Sequence, residues 1–250
     1  KGKKDDNATD EKVPNKRIAK FPSADRKALE SPTSVLFAGF KLWTCDKDGI
    51  LTNRDLLVRD GKIVAIGKNL KETAPKECKI VEGKGMHLTP GIIDCHSHAM
   101  ILGRVNESTL PSTAMVRIAD VVNSESINVE RQLAGGVTAC NLLHGSANPI
   151  GGQNAVIKLR LGASPDAMLM QQAPSGIKFA LGENVKQSNW GDKYTTRFPQ
   201  SRMGVKSFFA NRFSAARQYG NRLQQAQQGN GPPQRRNLEL EAILEIIRGK

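Results

Sequence analysis

Apolar and polar positions change rhythm along this chain. Residues 1–33 have no rhythm: charged and polar side chains are broken by Pro14, Pro22 and Pro32, the pattern of a linker or extended arm. From Ser34 onward short apolar runs take over. Ser34–Phe40 is apolar, and Asp55–Arg59 reads as a strand around Leu56 and Val58 up to Asp60-Gly61. A further strand is read over Lys62–Ile66, with Ile63 and Val64 near its centre. An Asp-Gly pair between two such runs predicts a β-hairpin with a tight turn. Lys79–Val81 and Met86–Leu88 add two short strands, so residues 34–88 read as a small all-β module.

After Thr89-Pro90-Gly91 the pattern changes again. Ile92–His98 reads as a buried strand with a polar end. A helix is predicted around Ser126–Ala134, closed by Gly135-Gly136. Val137–Leu143 is the next strand and ends at His144, and Gly145–Gln153 reads as a loop. Ala155–Leu159 and Gly176–Leu181 are strands, and Ala167–Gln171 fits strand or helix. Strands alternating with loops and helices predict an α/β fold with a parallel sheet and helical crossovers. Residues 184–236 read as loop plus one basic helix, with Val205, Phe208, Phe209, Phe213 and Ala216 at helical spacing. Asn237 caps a second amphipathic helix that presents Leu240, Ile243, Leu244 and Ile247.

Composition sharpens this picture in two places. The net charge of +13 is concentrated late: residues 185–250 hold twelve Lys/Arg against four Asp/Glu. Such a face suits nucleic acid or an anionic surface. No RRM, KH, zinc-finger or helix-turn-helix signature accompanies it, so a solvated or internally neutralised surface is the expectation and nucleic acid is not. Cys45, Cys78, Cys95 and Cys140 form no C-x-x-C and read as small buried hydrophobes. No apolar run nears the ~20 residues of a spanning helix, and no signal-peptide pattern is visible. Cytoplasm and periplasm both stay open.

The sharpest chemistry lies in Asp94-Cys95-His96-Ser97-His98. Side chains at i and i+2 of a strand project to one side, so His96 and His98 can meet one metal ion. Asp94 shares their parity and can orient a ligand from behind. In Ile177–Gly182 the bulky apolar residues alternate with Lys178, Ala180 and Gly182, which turns Lys178 inward, where a lysine needs a role or a partner. Glu183 follows the strand end as a rival oxygen ligand. His144 stands at its own strand end, ready for substrate or water, or else simply hydrogen-bonded in its loop. The Gly151-Gly152-Gln153-Asn154 stretch either offers backbone N–H groups to a substrate anion or is a plain turn. Arg197, Arg202 and Lys206 read as solvated by default.

"GKGMHLTPGIIDCHSHA" resembles the first barrel strand of the amidohydrolase superfamily, and "DLLVRDGKIVAIGKNL" its N-terminal β-sandwich. "GGVTACNLLHGSANPIGGQNAVIKLR" and "GIKFALGENVK" resemble its imidazolonepropionase-related branch, the latter also the lysine-bearing strand of prolidase-like members. The resemblance covers roughly Val35 to Asn184. It implies a β-sandwich over 34–88 and the first half of a (β/α)8 TIM-like barrel over 89–250, with a basic helical insertion near 185–236. It implies one or two divalent ions, Zn first and Fe, Mn, Co or Ni as alternatives, held by His96 and His98. Carbamylated Lys178 or Glu183 would bridge, with Asp94, His144 and Gln153 behind them or at the substrate. The implied reaction is attack of a metal-activated hydroxide on an amide, lactam or peptide-like C–N bond of a small molecule.

The family also uses two later histidines and a late aspartate as general base. Here the histidines are His87, His96, His98 and His144, and the last aspartate is Asp192. The expectation is therefore an N-terminal portion, completed by the remainder of the polypeptide or by a second subunit, with a homo-oligomer compatible. Two other readings stand beside it. One is a degenerate member kept for assembly or binding, and the other a basic module for nucleic acid or an anionic surface.

Overall fold

Residues 30–194 and 196–249 are described by a computed structural model; the arm read over 1–33 falls outside them except at its last four residues. The chain divides into two units, which meet between Leu88 and Thr89.

In the first unit five strands form one sheet: β1 (Ser34–Trp43), β2 (Ile50–Arg59), β3 (Lys62–Gly67), β4 (Lys79–Glu82) and β5 (His87–Leu88). Their order is β3-β2-β1-β4, with β5 also on β1. The Asp-Gly hairpin is present. Arg59 pairs with Lys62, and Asp60 and Gly61 both take positive φ, 49° and 73°. Leu36, Ala38 and Leu57 form the buried face under Ala65, Leu70 and Ala74. Asp55, itself buried, accepts from the Gly39 and Leu70 amides and so pins the loop after β3 to the sheet. Ile63, Val64 and Ile66 are exposed, and no second sheet stacks on this one among the described residues of the unit.

The second unit opens with β6 (Ile92–Ser97), then α1 (Ile127–Ala134) and β7 (Val137–Leu142). Ser126 caps α1 through the Asn128 amide, and Gly136 at φ 88° leads out of it. The crossover makes β6 and β7 parallel, as expected. The rest departs from a parallel sheet. β8 (Ile150–Gln153) lies where a loop was expected, and β9 (Ala155–Lys158) runs antiparallel to β7. One residue, Asn154, separates β8 from β9, too few for a crossover. β10 (Ile177–Phe179) pairs antiparallel with β8, giving a second, two-stranded sheet beside β6-β7-β9.

Periodicity misses β8 because Gly151 and Gly152 carry no apolar side chain. Their bareness is a packing requirement. A Cβ on Gly151 would stand 2.6 Å from His144 Nδ1, and one on Gly152 2.7 Å from Val116 Cγ2. Two further expectations fail. Ile92 and Ile93 are exposed, because β6 is an edge strand of its sheet in the described residues. Of the cysteines only Cys140 is buried; Cys45 and Cys95 are exposed and Cys78 is intermediate.

Residues 167–171 resolve as the end of a one-turn helix, α2 (Pro165–Met168), and the strand-like stretch after it. Met168, Ile157, Leu142, Val129 and Cys140 share one core. Short 3-10 turns over 183–194 lead to α3 (Arg202–Gln227), and Asn237 caps α4 (Leu238–Ile247) by accepting from the Leu240 amide. Phe208, Ala216 and Tyr219 of α3 meet Leu240, Ile243 and Leu244 of α4 over Ile150. Among the described residues no helix is long and apolar enough to cross a membrane.

Gly151→Ala should lower the unfolding free energy by about 1–3 kcal/mol, because the buried His144 ring has no room to give. Gly182→Ala, with open space around its Cβ, should leave the urea midpoint where it is. Equal midpoints for the two variants would refute this account of the glycine pair.

Candidate metal centre

The site is built at the polar end of β6. Its parallel neighbour carries it: Ser97 pairs with Leu142, and the Leu143 amide donates to the Ser97 carbonyl over 3.0 Å. The Leu143 carbonyl lies 2.8 Å from His98 Nδ1. A carbonyl only accepts, so Nδ1 holds the proton and a neutral His98 leaves Nε2 bare. His96, two residues back, turns its ring to 89° against that of His98 at 5.0 Å between centroids. The two Nε2 atoms face each other at 3.3 Å.

Lys178 comes from β10 and sets its Nζ 3.2 Å from His96 Nε2. An ammonium donates there, so His96 Nε2 is also bare. The positive charge of Lys178, with burial and His98 adding to it, holds His96 below the ordinary imidazole range, and Asp94 opposes this. Burial in turn lowers Lys178. Both rings are exposed and turn their Nε2 atoms toward each other.

That geometry fits a metal ion. Two imidazole nitrogens about 2.0–2.1 Å from one tetrahedral ion stand roughly 3.3–3.4 Å apart. Two ring nitrogens, with the second nitrogen of His98 held by the Leu143 carbonyl, suit Zn and other borderline ions. Among the described residues no three His, Cys, Asp or Glu side chains gather, so the third group at this point is a lysine.

The other residues singled out in the sequence lie as follows. Asp94 Oδ1 accepts from the His96 amide over 3.1 Å, which steadies the backbone of the ligand strand. Glu183 is engaged by Lys186 at 2.6 Å, by Arg202 at 2.9 Å and by Asn189. These bonds hold its carboxyl well below the usual range. His144 is buried and fully bonded: Nε2 accepts from the Glu107 amide at 2.8 Å and Nδ1 donates to the Gly145 carbonyl at 3.0 Å. Its loop reading therefore holds, and no nitrogen is left for substrate. Gln153 spends its amide on the Ala114 carbonyl at 2.9 Å, and the Gly-Gly stretch before it is strand rather than anion loop.

Arg197 is not solvated. It donates to the Ser108 and Ala147 carbonyls and stacks on Trp190. Arg202 pairs with Glu183, Arg212 with Glu239 and Arg236 with Glu241, while Lys206 is exposed. Asn141 escaped the sequence reading, and Asn154 entered it only as part of the Gly-Gly stretch. The Asn154 side-chain amide donates to Asn141 Oδ1 over 2.7 Å. The available signal was Asn141 itself, a polar residue at an inner position of the apolar strand Val137–Leu142.

No family model matches the chain. It is 32% identical over 182 residues to Amidohydrolase tasK of Hapsidospora irregularis, which covers 66% of this chain and 18% of that protein. It is 43% identical over 65 residues to the imidazolonepropionase of Shewanella pealeana, covering 25% of this chain and 16% of that one. Among solved structures, an amidohydrolase from Thermotoga maritima MSB8 superimposes with a TM-score of 0.74 at 31% identity, over 86% of this chain and 55% of that one. The chain thus spans less than a fifth of the curated relatives it matches here and about half of the solved one.

Burial holds the His144 pKa down, which sets a sign for pH dependence. In the unfolded chain its imidazole takes a proton near the ordinary ~6.5, which the folded site resists. Stability contributed this way is full above that value and is lost as pH falls through the folded pKa. Urea midpoints should therefore drop between pH 7.5 and 5.5, and His144→Asn should shrink that drop. An unchanged slope in the variant would count against the buried neutral tautomer.

Proposed function

From the premise that the chain belongs to the amidohydrolase superfamily, we propose that it carries the metal-binding half of a hydrolase acting on C–N bonds. The substrate class is a small amide, lactam or peptide-like molecule. The observation that carries the reading is the convergence of His96 Nε2, His98 Nε2 and Lys178 Nζ within 3.3 Å of one another along the chain of contacts.

His96 and His98 would hold one divalent ion, Zn before Fe, Mn, Co or Ni. A bound ion lowers the pKa of water, so hydroxide is available near neutral pH. Carbamylation of Lys178 deletes the positive charge beside His96 and substitutes carboxylate oxygens, which can bridge to a second ion. Glu183 would have to abandon three partners to do the same. His98 is aimed by the Leu143 carbonyl, and Asp94 fixes the backbone of His96. The general base and the remaining ligands would come from further polypeptide. In this reading the first unit belongs to a β-sandwich and the second to the opening part of a (β/α)8 barrel.

A second reading has one observation behind it. No three His, Cys, Asp or Glu side chains gather among the described residues, as in a fold kept for assembly or binding without catalysis.

Zinc titration of the chelator-treated protein separates the two. The metal reading expects one ion per chain at least, and a loss of about 100-fold or more in affinity for His96→Ala or His98→Ala. Lys178→Ala should keep the first ion and abolish any bicarbonate-dependent second one. A native chain that takes up no zinc would hand the case to the non-catalytic reading.

A further inference from the structure

The geometry points to Asn141 and Asn154 as positioning residues that lock the strand bearing His96 and His98 to the strand bearing Lys178. The inference deepens the metal-site reading above and rests on it for its functional meaning, though its physical content stands without metal.

The ligand residues come from two separate sheets, β6-β7-β9 and β10-β8. Each lies where its backbone ladder is irregular. The β6–β7 register slips between Asp94 and Ser97, around His96, and the β10–β8 register slips between Ile177 and Phe179, at Lys178. Regular strand pairing therefore does not hold either residue in place.

Side-chain amides take over. The Gly176 N–H donates to Asn154 Oδ1 over 2.6 Å, while the Asn154 N–H donates to the Gly176 carbonyl over 2.9 Å. Both backbone groups of Gly176, two residues before Lys178, are thus held by one asparagine. Asn154 Nδ2 donates to Asn141 Oδ1 over 2.7 Å, and Asn141 Nδ2 donates to the Cys95 carbonyl over 3.3 Å. Cys95 directly precedes His96. The three side-chain bonds run in one direction, from Gly176 through Asn154 and Asn141 to Cys95, so each amide accepts at one end and donates at the other. Hydrogen bonds aligned this way polarise one another. Only a primary amide fits both joints: a carboxylate lacks the donor and an aliphatic side chain lacks both. Asn154 is also the single residue between β8 and β9, the hinge at which the two sheets part.

Two independent props and one relay differ in a measurable way. Hydrogen exchange is read at the Gly176 amide in the metal-free chain carrying Asn141→Leu, a substitution two joints away. The relay predicts exchange faster by about tenfold. An unchanged rate overturns the relay, whatever the protein does with metal. In zinc titrations Asn141→Leu and Asn154→Leu should each weaken binding by roughly tenfold. The double variant should be scarcely weaker than either single, since a relay can be cut only once. Losses that multiply overturn the relay and leave the metal reading intact. A native chain that binds no zinc overturns the metal reading and leaves the exchange result to decide the relay. If a leucine variant fails to fold, the alanine set at the same positions supplies the same comparisons.

Discussion

His96 and His98 bring two imidazole Nε2 atoms within 3.3 Å of each other, with the Lys178 amine beside them. This constraint organises the second unit. The Leu143 carbonyl engages His98 Nδ1 and so aims Nε2 at His96. The Lys178 amine sits against His96 Nε2 from the other side. The surrounding strands are the scaffold that holds these three nitrogens together. The parallel β6–β7 pairing sets Leu142 opposite Ser97 and ties the Leu143 amide to the Ser97 carbonyl, and β10 delivers Lys178 from the other sheet.

The same scaffold explains why Lys178 and Glu183 part company. They are five residues apart at the end of one short strand, and the sequence leaves both in play. Glu183 begins a 3-10 turn, which swings its carboxylate toward Lys186 and Arg202 of the following helical stretch. Lys178 stays within the strand and reaches His96. A carboxylate with cations already at hand has little to gain from moving to a metal.

Much of this was legible in sequence because it depends on local rules. The Asp60-Gly61 hairpin, the Ser126 cap, the Asn237 cap and the i,i+2 pairing of His96 with His98 each follow from neighbours within a few residues. The reading failed where distant atoms decide. Gly151 and Gly152 look like a loop but form a strand, because the His144 ring and Val116 occupy the space where side chains would be. β9 turns back antiparallel on β7 because the stretch between them, which contains β8, forms no helix to carry the chain across the sheet. Arg197 looks like surface charge and is a clamp on two loop carbonyls. His144 stays open between two roles in sequence, and in the structure both its ring nitrogens are spent on backbone. None of these partners is near in sequence, so no periodicity encodes them.

His96 and Lys178 are 82 residues apart in the chain. Closing a loop of that size costs entropy that no local contact returns, so the strand carrying Lys178 should join late, after β6, α1 and β7 have assembled. A pocket finished at the final step of folding is also among the first to open when the native state fluctuates. For such a protein, an ion bound between the two strands would favour the closed arrangement over the open one. Starvation for the ion would then register as a shorter-lived chain before it registered as a slower one.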